Sequence, residues 1–159
     1  MRGLVSDRST NDLCVSWQRL HRETLELVRL LKDQGPFDGL LAVSRGGLAP
    51  AAIVARALEI RRVDVIAVTS YQGRERTEPR IIKETVFPPD GRWLIVDDIA
   101  DTGQTLALLR GRFPNAITAT VFAKPAGRER ADYFGSLVEQ NVWVVFPWDQ
   151  EGVEPPGGD

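Results

Sequence analysis

Residues 94–105, Leu-Ile-Val-Asp-Asp-Ile-Ala-Asp-Thr-Gly-Gln-Thr, narrow the possible folds of this chain more than any other segment. Leu94, Ile95 and Val96 follow one another without polar alternation, which predicts a short strand apolar on both faces, the habit of a central strand in a helix-covered parallel sheet. Asp97 and Asp98 end the apolar run, and Asp101, Thr102 and Gly103 lead into a helix expected over 102–112. Ligands of open α/β sheets bind where strand carboxyl ends meet helix N-termini. The segment therefore predicts a fold class, α/β, and the position of a site within it.

The remaining chain alternates in the same way. Trp17, Leu20, Leu27 and Leu31 keep helical spacing behind a capping Ser16, and Gly35-Pro36 stops the helix. Strands are expected over 39–43, 63–70, 93–96 and 116–123, with a second helix reaching Leu58 and carrying Pro50 in its first turn. This order predicts a mostly parallel central sheet flanked by helices, with 40–43 and 94–96 at its centre. The 159 residues fit one domain, 1–159. Residues 71–92, rich in Gly, Pro and charge, read as a functional lid or flap, with a small β-hairpin on 81–87 as the alternative. The Pro/Gly-rich tail 152–159 reads as frayed.

Twenty basic and 22 acidic side chains leave a net charge of −2, which gives no support for a broad nucleic-acid surface. No apolar run approaches bilayer length. The start of the chain lacks the apolar core of a secretory leader, and Cys14 is the only cysteine, so a reducing, cytoplasmic compartment is expected. Neither Cys14 nor His21 has a partner at catalytic spacing.

The chemistry follows from the residue types. The backbone N–H groups of residues 100–105, with the hydroxyls of Thr102 and Thr105, suit a monophosphate at a helix start. Asp97 and Asp98 would repel that phosphate; they suit a sugar diol or a magnesium ion held through few protein ligands. In Ser44-Arg45-Gly46-Gly47 the glycines admit an anion close to the backbone and Arg45 offers a positive fork, although a plain strand-to-helix turn would look the same. Lys124 at a strand end can donate to an exocyclic oxygen, or can be an ordinary surface lysine. Trp143 can stack on a planar base, with the backbone of Val144 reading its edge, or can simply pack in the core together with Phe146 and Trp148.

Taken together, Ser-Arg-Gly-Gly at 44–47, Val-Asp-Asp-x-x-Asp-Thr-Gly at 96–103, Phe-Ala-Lys-Pro-Ala-Gly-Arg at 122–128 and Trp-x-x-x-Pro-Trp-Asp at 143–149 resemble the type I phosphoribosyltransferases, nearest their bacterial xanthine-guanine branch. The resemblance spans 17–149. It implies a type I phosphoribosyltransferase fold with a flexible flap at 71–92 and a small C-terminal hood at 124–149 that recognises the base. The implied reaction is Mg²⁺-dependent transfer of ribose 5-phosphate from phosphoribosyl pyrophosphate (PRPP) to a 6-oxopurine. The implied PRPP site comprises Arg45, Gly46, Asp97, Asp98, Ile99, Ala100, Asp101, Thr102, Gly103, Gln104 and Thr105, with Asp98 on the metal. Asp101, Lys124, Trp143 and Val144 are the implied base contacts, and Asp101 and Arg45 the catalytic residues. A homo-oligomer, dimer or tetramer, and a loose membrane association are further family expectations, although no basic amphipathic segment here requires the latter.

Two positions depart from the family pattern. The flap matches poorly, leaving Arg76 and Arg80 as candidates for its basic contact with PRPP. Val145 stands where a carboxylate is common.

A response-regulator receiver also carries an acidic pair and a later Lys-Pro, but its pair follows the first strand and it lacks the Asp-Thr-Gly-x-Thr turn. A PRPP- or nucleotide-sensing regulator on the same fold would be expected to add a DNA-binding module or a basic RNA face. A transferase for another base is the third alternative.

Overall fold

The computed structural model describes residues 11–72 and 75–149. The strands are β1 (Asp12–Cys14), β2 (Gly39–Ser44), β3 (Val63–Gln72), β4 (Glu75–Lys83), β5 (Trp93–Ala100), β6 (Ile117–Ala123), β7 (Tyr133–Leu137) and β8 (Trp143–Val145). The helices are α1 (Trp17–Leu31), α2 (Leu48–Ala57) and α3 (Gln104–Arg112). Six strands form the main sheet in the order β4-β3-β2-β5-β6-β7, and β1 pairs with β8 in a second, two-stranded sheet. Every pairing in the main sheet is parallel except β3 with β4.

The unbroken apolar runs of β2 and β5 exist because both faces are covered. Leu40, Ala42, Leu94 and Val96 pack with Leu27, Leu31 and Val54 of α1 and α2. Leu41, Val43 and Ile95, pointing the other way, pack with Leu109 of α3 and with Phe113. Ser16 caps α1 by accepting from the Arg19 N–H at 3.1 Å. Thr24, buried on the apolar stripe of α1, satisfies its hydroxyl by donating to the Leu20 carbonyl at 2.7 Å. A third cluster, with Val15, Leu20, Phe122, Val144 and Phe146, seats the β1–β8 ribbon on the end of the main sheet.

Four expectations need correction. β4 is a strand of Glu75–Lys83, longer than a loop reading of 71–92 allows and placed earlier than a hairpin on 81–87. Pro79 and the charges of Arg80 and Lys83 suggest a loop, yet they are also residues that an edge strand tolerates and that keep it from pairing further. The carboxylate of Asp64 anchors the segment after β4: it accepts from the Thr85 hydroxyl and from the Val86 N–H at 2.9 Å. Chiefly through the Thr85 bond, its pKa is lowered to about 2. α3 begins at Gln104, not Thr102, because Gly103 takes a left-handed conformation, φ 79°, just before it. β5 extends to Ala100 because β6 keeps pairing with it, Ile99 opposite Phe122 and Ala100 opposite Ala123. β7, short and interrupted by Gly135, adds a sixth strand that its composition does not announce.

Candidate active site

The carboxyl ends of β2, β5 and β6 open into one cleft, closed on its far side by β8 and the turn after it. It encloses a cavity of about 940 Å³. Arg45, Gly46, the whole run from Asp97 to Thr105, Lys124, Trp143 and Val144 all line it. The main sheet and the β1–β8 ribbon together therefore gather into one place residues from four separate stretches of the sequence.

Asp97 and Asp98 lie in the second half of β5 and line the cleft. Asp97 is buried, and its Oδ1 accepts from the Asp98 N–H at 2.8 Å. Asp98 turns its Oδ1 to the Ile99 N–H at 2.7 Å. Burial, and then the neighbouring charge of Asp98, push the Asp97 carboxyl well above its usual range. Burial is also the largest cause for Asp98, which is raised to about 6, with the Asp149 charge adding to it. Two carboxylates that are costly to ionise make a natural seat for a compensating cation or for hydroxyl donors.

The loop after β2 meets this pair directly. A Cβ on Gly46 would lie 2.1 Å from Asp98 Oδ2, so only glycine permits the approach. Arg45 beside it is exposed and has no ion pair among the described residues. At the start of α3 no side chain caps the helix. The Gln104 N–H faces Thr102 Oγ1 only at a long 3.5 Å, which leaves first-turn donors for an anion. Ile99 and Ala100 close β5 and line the cleft ahead of the turn that begins at Asp101.

The other half of the cleft is suited to a planar ligand. Lys124 is buried, not a surface lysine, and its Nζ lies 3.5 Å from Asp101 Oδ1. Its backbone N–H donates to the Ala100 carbonyl at 2.9 Å, which fixes the loop after β6 against the end of β5. Trp143 is 40% exposed and lines the cleft, so core packing does not account for it. Phe146 is buried, and Trp148 stacks on it with centroids 4.9 Å apart and planes 3° from parallel. Both rings also border the cleft, beyond the purely structural part expected of them.

Two cleft-side residues, Gln140 and Asp149, are not among the site residues expected from the sequence. Gln140 donates from Nε2 to Asp101 Oδ1 at 3.1 Å and accepts at Oε1 from the Ala126 N–H at 2.8 Å. Asp149 lines the cleft and acts electrostatically on Asp98, whereas Val145 is not among the lining residues. The Trp-Asp ending of the last motif is a signal that could have found Asp149; nothing local marks Gln140. Of the two flap candidates, Arg80 sits opposite Thr69, a cleft-lining residue. Arg76 belongs to β4, and its side chain lies outside the described part of the structure. His21 and Cys14 are both exposed.

A phosphoribosyl transferase domain model matches residues 19–153. The chain is 45% identical to a xanthine-guanine phosphoribosyltransferase of Nitratidesulfovibrio vulgaris, covering 92% of this chain and 90% of the relative. It is 46% identical to the enzyme of that name from Idiomarina loihiensis, covering 94% and 96%. Among solved structures, it is similar to a purine phosphoribosyltransferase from Pyrococcus horikoshii, with a TM-score of 0.76, 28% identity and coverage of 91% and 99%. It is also similar to a Helicobacter pylori xanthine-guanine-hypoxanthine phosphoribosyltransferase, with a TM-score of 0.68, 25% identity and coverage of 86% and 92%.

Proposed function

The chain belongs to the phosphoribosyl transferase domain family, and on that footing we propose that it is a purine-salvage phosphoribosyltransferase of the xanthine-guanine type. It joins a 6-oxopurine, guanine or xanthine and in the wider reading hypoxanthine, to ribose 5-phosphate, with release of pyrophosphate from PRPP. The observation that carries this reading is the placement of buried Lys124 3.5 Å from Asp101 in the cleft that also holds the acidic pair and Trp143. A 6-oxopurine offers an oxygen to the ammonium, an imidazole N–H to the carboxylate and a ring face to the indole. Relatives at 42–46% identity carry an enzyme's name, which favours catalysis over a non-enzymatic PRPP sensor.

The turn 101–105 holds the 5-phosphate through backbone N–H groups and the hydroxyls of Thr102 and Thr105. Asp97 and Asp98 accept from the ribose diol. The same pair fits a divalent cation, because burial makes both ionised carboxylates costly and a cation offsets that cost. Asp98 would hold a Mg²⁺ ion, which when bound would supply positive charge to neutralise a leaving pyrophosphate. Arg45 and the Gly46 N–H bind that pyrophosphate from the other side. As the bond from C1 to the pyrophosphate oxygen breaks, N9 of the base bonds to C1, and Asp101 accepts the proton released at N7. Lys124 donates to O6, Trp143 stacks on the ring and the Val144 carbonyl accepts from a 2-amino group.

We read residues 71–92, which include β4, as the flap, with Arg80, opposite the cleft-lining Thr69, and Arg76 as candidates for its basic contact with PRPP, and residues 124–149 as the hood over the base. The protein works as a cytoplasmic homo-oligomer; Leu30, 47% exposed on α1, gives such an assembly apolar surface. Among the described residues no helix is long and apolar enough to cross a membrane.

The test is a spectrophotometric assay with PRPP and guanine, xanthine, hypoxanthine or adenine, with and without Mg²⁺. Nucleotide formed from guanine and xanthine, abolished by chelation, is the expected result. Binding of PRPP without turnover of any base would favour the sensor.

A further inference from the structure

Gln140 lies in the turn between β7 and β8, and its side-chain amide is engaged at both ends. The Ala126 N–H can only donate, so the atom it meets at 2.8 Å is the amide oxygen, and the NH₂ group is thereby committed to Asp101 Oδ1 at 3.1 Å. The donor orientation is thus fixed by the bonding pattern.

These two partners belong to the two loops that carry the base chemistry. Asp101 begins the turn after β5. Ala126 lies in the loop after β6, where the N–H groups of Gly127 and Arg128 both return to the Lys124 carbonyl at 2.9 Å. Gln140 itself precedes Trp143 by three residues, in a turn closed by the Val142 N–H on the Glu139 carbonyl at 3.2 Å. One neutral side chain therefore connects the carboxylate, the lysine loop and the approach to the stacking tryptophan.

Lys124 and Gln140 share Oδ1 of Asp101, but the lysine contact, 3.5 Å, is long for a hydrogen bond while the amide contact is of ordinary length. In the proposed reaction Lys124 turns its ammonium to O6 of the base. The amide keeps its contact with Oδ1 and so restrains the carboxylate's rotation, and being neutral it does so without cancelling the charge that accepts the proton.

We propose that Gln140 is a positioning residue for base binding and proton transfer, acting through Asp101. The proposal rests on the phosphoribosyltransferase reading. A Gln140→Leu variant keeps most of the volume and removes the donor; kcat/KM for guanine should fall about ten- to a hundredfold, as for a hydrogen bond to a charged group. The KM for PRPP should stay within about twofold, because Gln140 touches none of the phosphate-binding turn beyond Asp101. Gln140→Glu, which cannot donate and sets a charge against Asp101, should fall further. In an Asp101→Asn background, Gln140→Leu should add little, because the group it positions is already gone.

Thermal melting of each variant shows that it is folded. Wild-type kinetics in Gln140→Leu, or losses that multiply fully in the double variant, would overturn the proposal while leaving the function intact. A wild-type chain that converts no purine would overturn the functional reading and the proposal with it.

Discussion

Gly46 lies against the carboxylate of Asp98 so closely that a Cβ would sit 2.1 Å from Oδ2 and 2.4 Å from Cγ. The contact joins the loop after β2 to the end of β5, and thus the proposed pyrophosphate site to the proposed metal and diol site. A Gly46→Ala substitution must displace one of them. We expect kcat/KM to fall by about a hundredfold or more, the scale for an ångström-sized misplacement of reacting groups. Steady-state kinetics checks this, and a variant with native turnover would show that the contact is dispensable.

The acidic pair predicts a conflict between stability and activity. Asp98 has its carboxyl raised to about 6, with burial the largest cause. Linkage gives the sign: the folded state binds protons more tightly than the unfolded state, so stability is greatest below the unfolded value near 3.8 and declines as pH rises towards 6. Asp98→Asn removes the penalty at neutral pH. In chelator-containing buffer at pH 8 the variant should be more stable than wild type by about 1–2 kcal/mol, with a smaller margin at pH 5. It should be inactive at both. Urea titrations at the two pH values test the sign, and equal destabilisation at both would contradict it.

Trp143 is 40% exposed and lines the cleft, whereas Phe146 and Trp148, which also border it, pack on each other. Its loss should therefore weaken base binding far more than the fold. Trp143→Ala should raise the KM for guanine about ten- to a hundredfold, the range for base–aromatic stacking, with the KM for PRPP little changed. Equal increases in both constants would place Trp143 in the general scaffold instead.

Contiguous features are the ones legible in the sequence. The run 94–105 carries its strand, its carboxylates and its turn in one stretch, so the central position of β5 and the site at its end are visible together. The Lys124 and Trp143 motifs can be located, but local sequence does not tell a buried lysine from a surface one or a cleft-lining ring from a core ring. That distinction comes from β6 and β8 ending at the same cleft. Gln140 is hidden for a related reason, since its partner is 39 residues away and a glutamine in a turn has no local signature. β4 is hidden because residues suited to a sheet edge also suit loops. The start of α3 lies two residues later than its pattern suggests because Gly103 uses its freedom for a left-handed turn ahead of the helix.

The central claim is that this cleft transfers ribose 5-phosphate to a 6-oxopurine. Its most direct test is product stoichiometry with guanine, PRPP and Mg²⁺, measuring GMP and pyrophosphate together in wild type and in Asp98→Ala. One GMP and one pyrophosphate for each guanine consumed, with no detectable turnover in the variant, is the predicted result. Pyrophosphate released without guanine, or no GMP from a folded wild-type protein that binds PRPP, would contradict it.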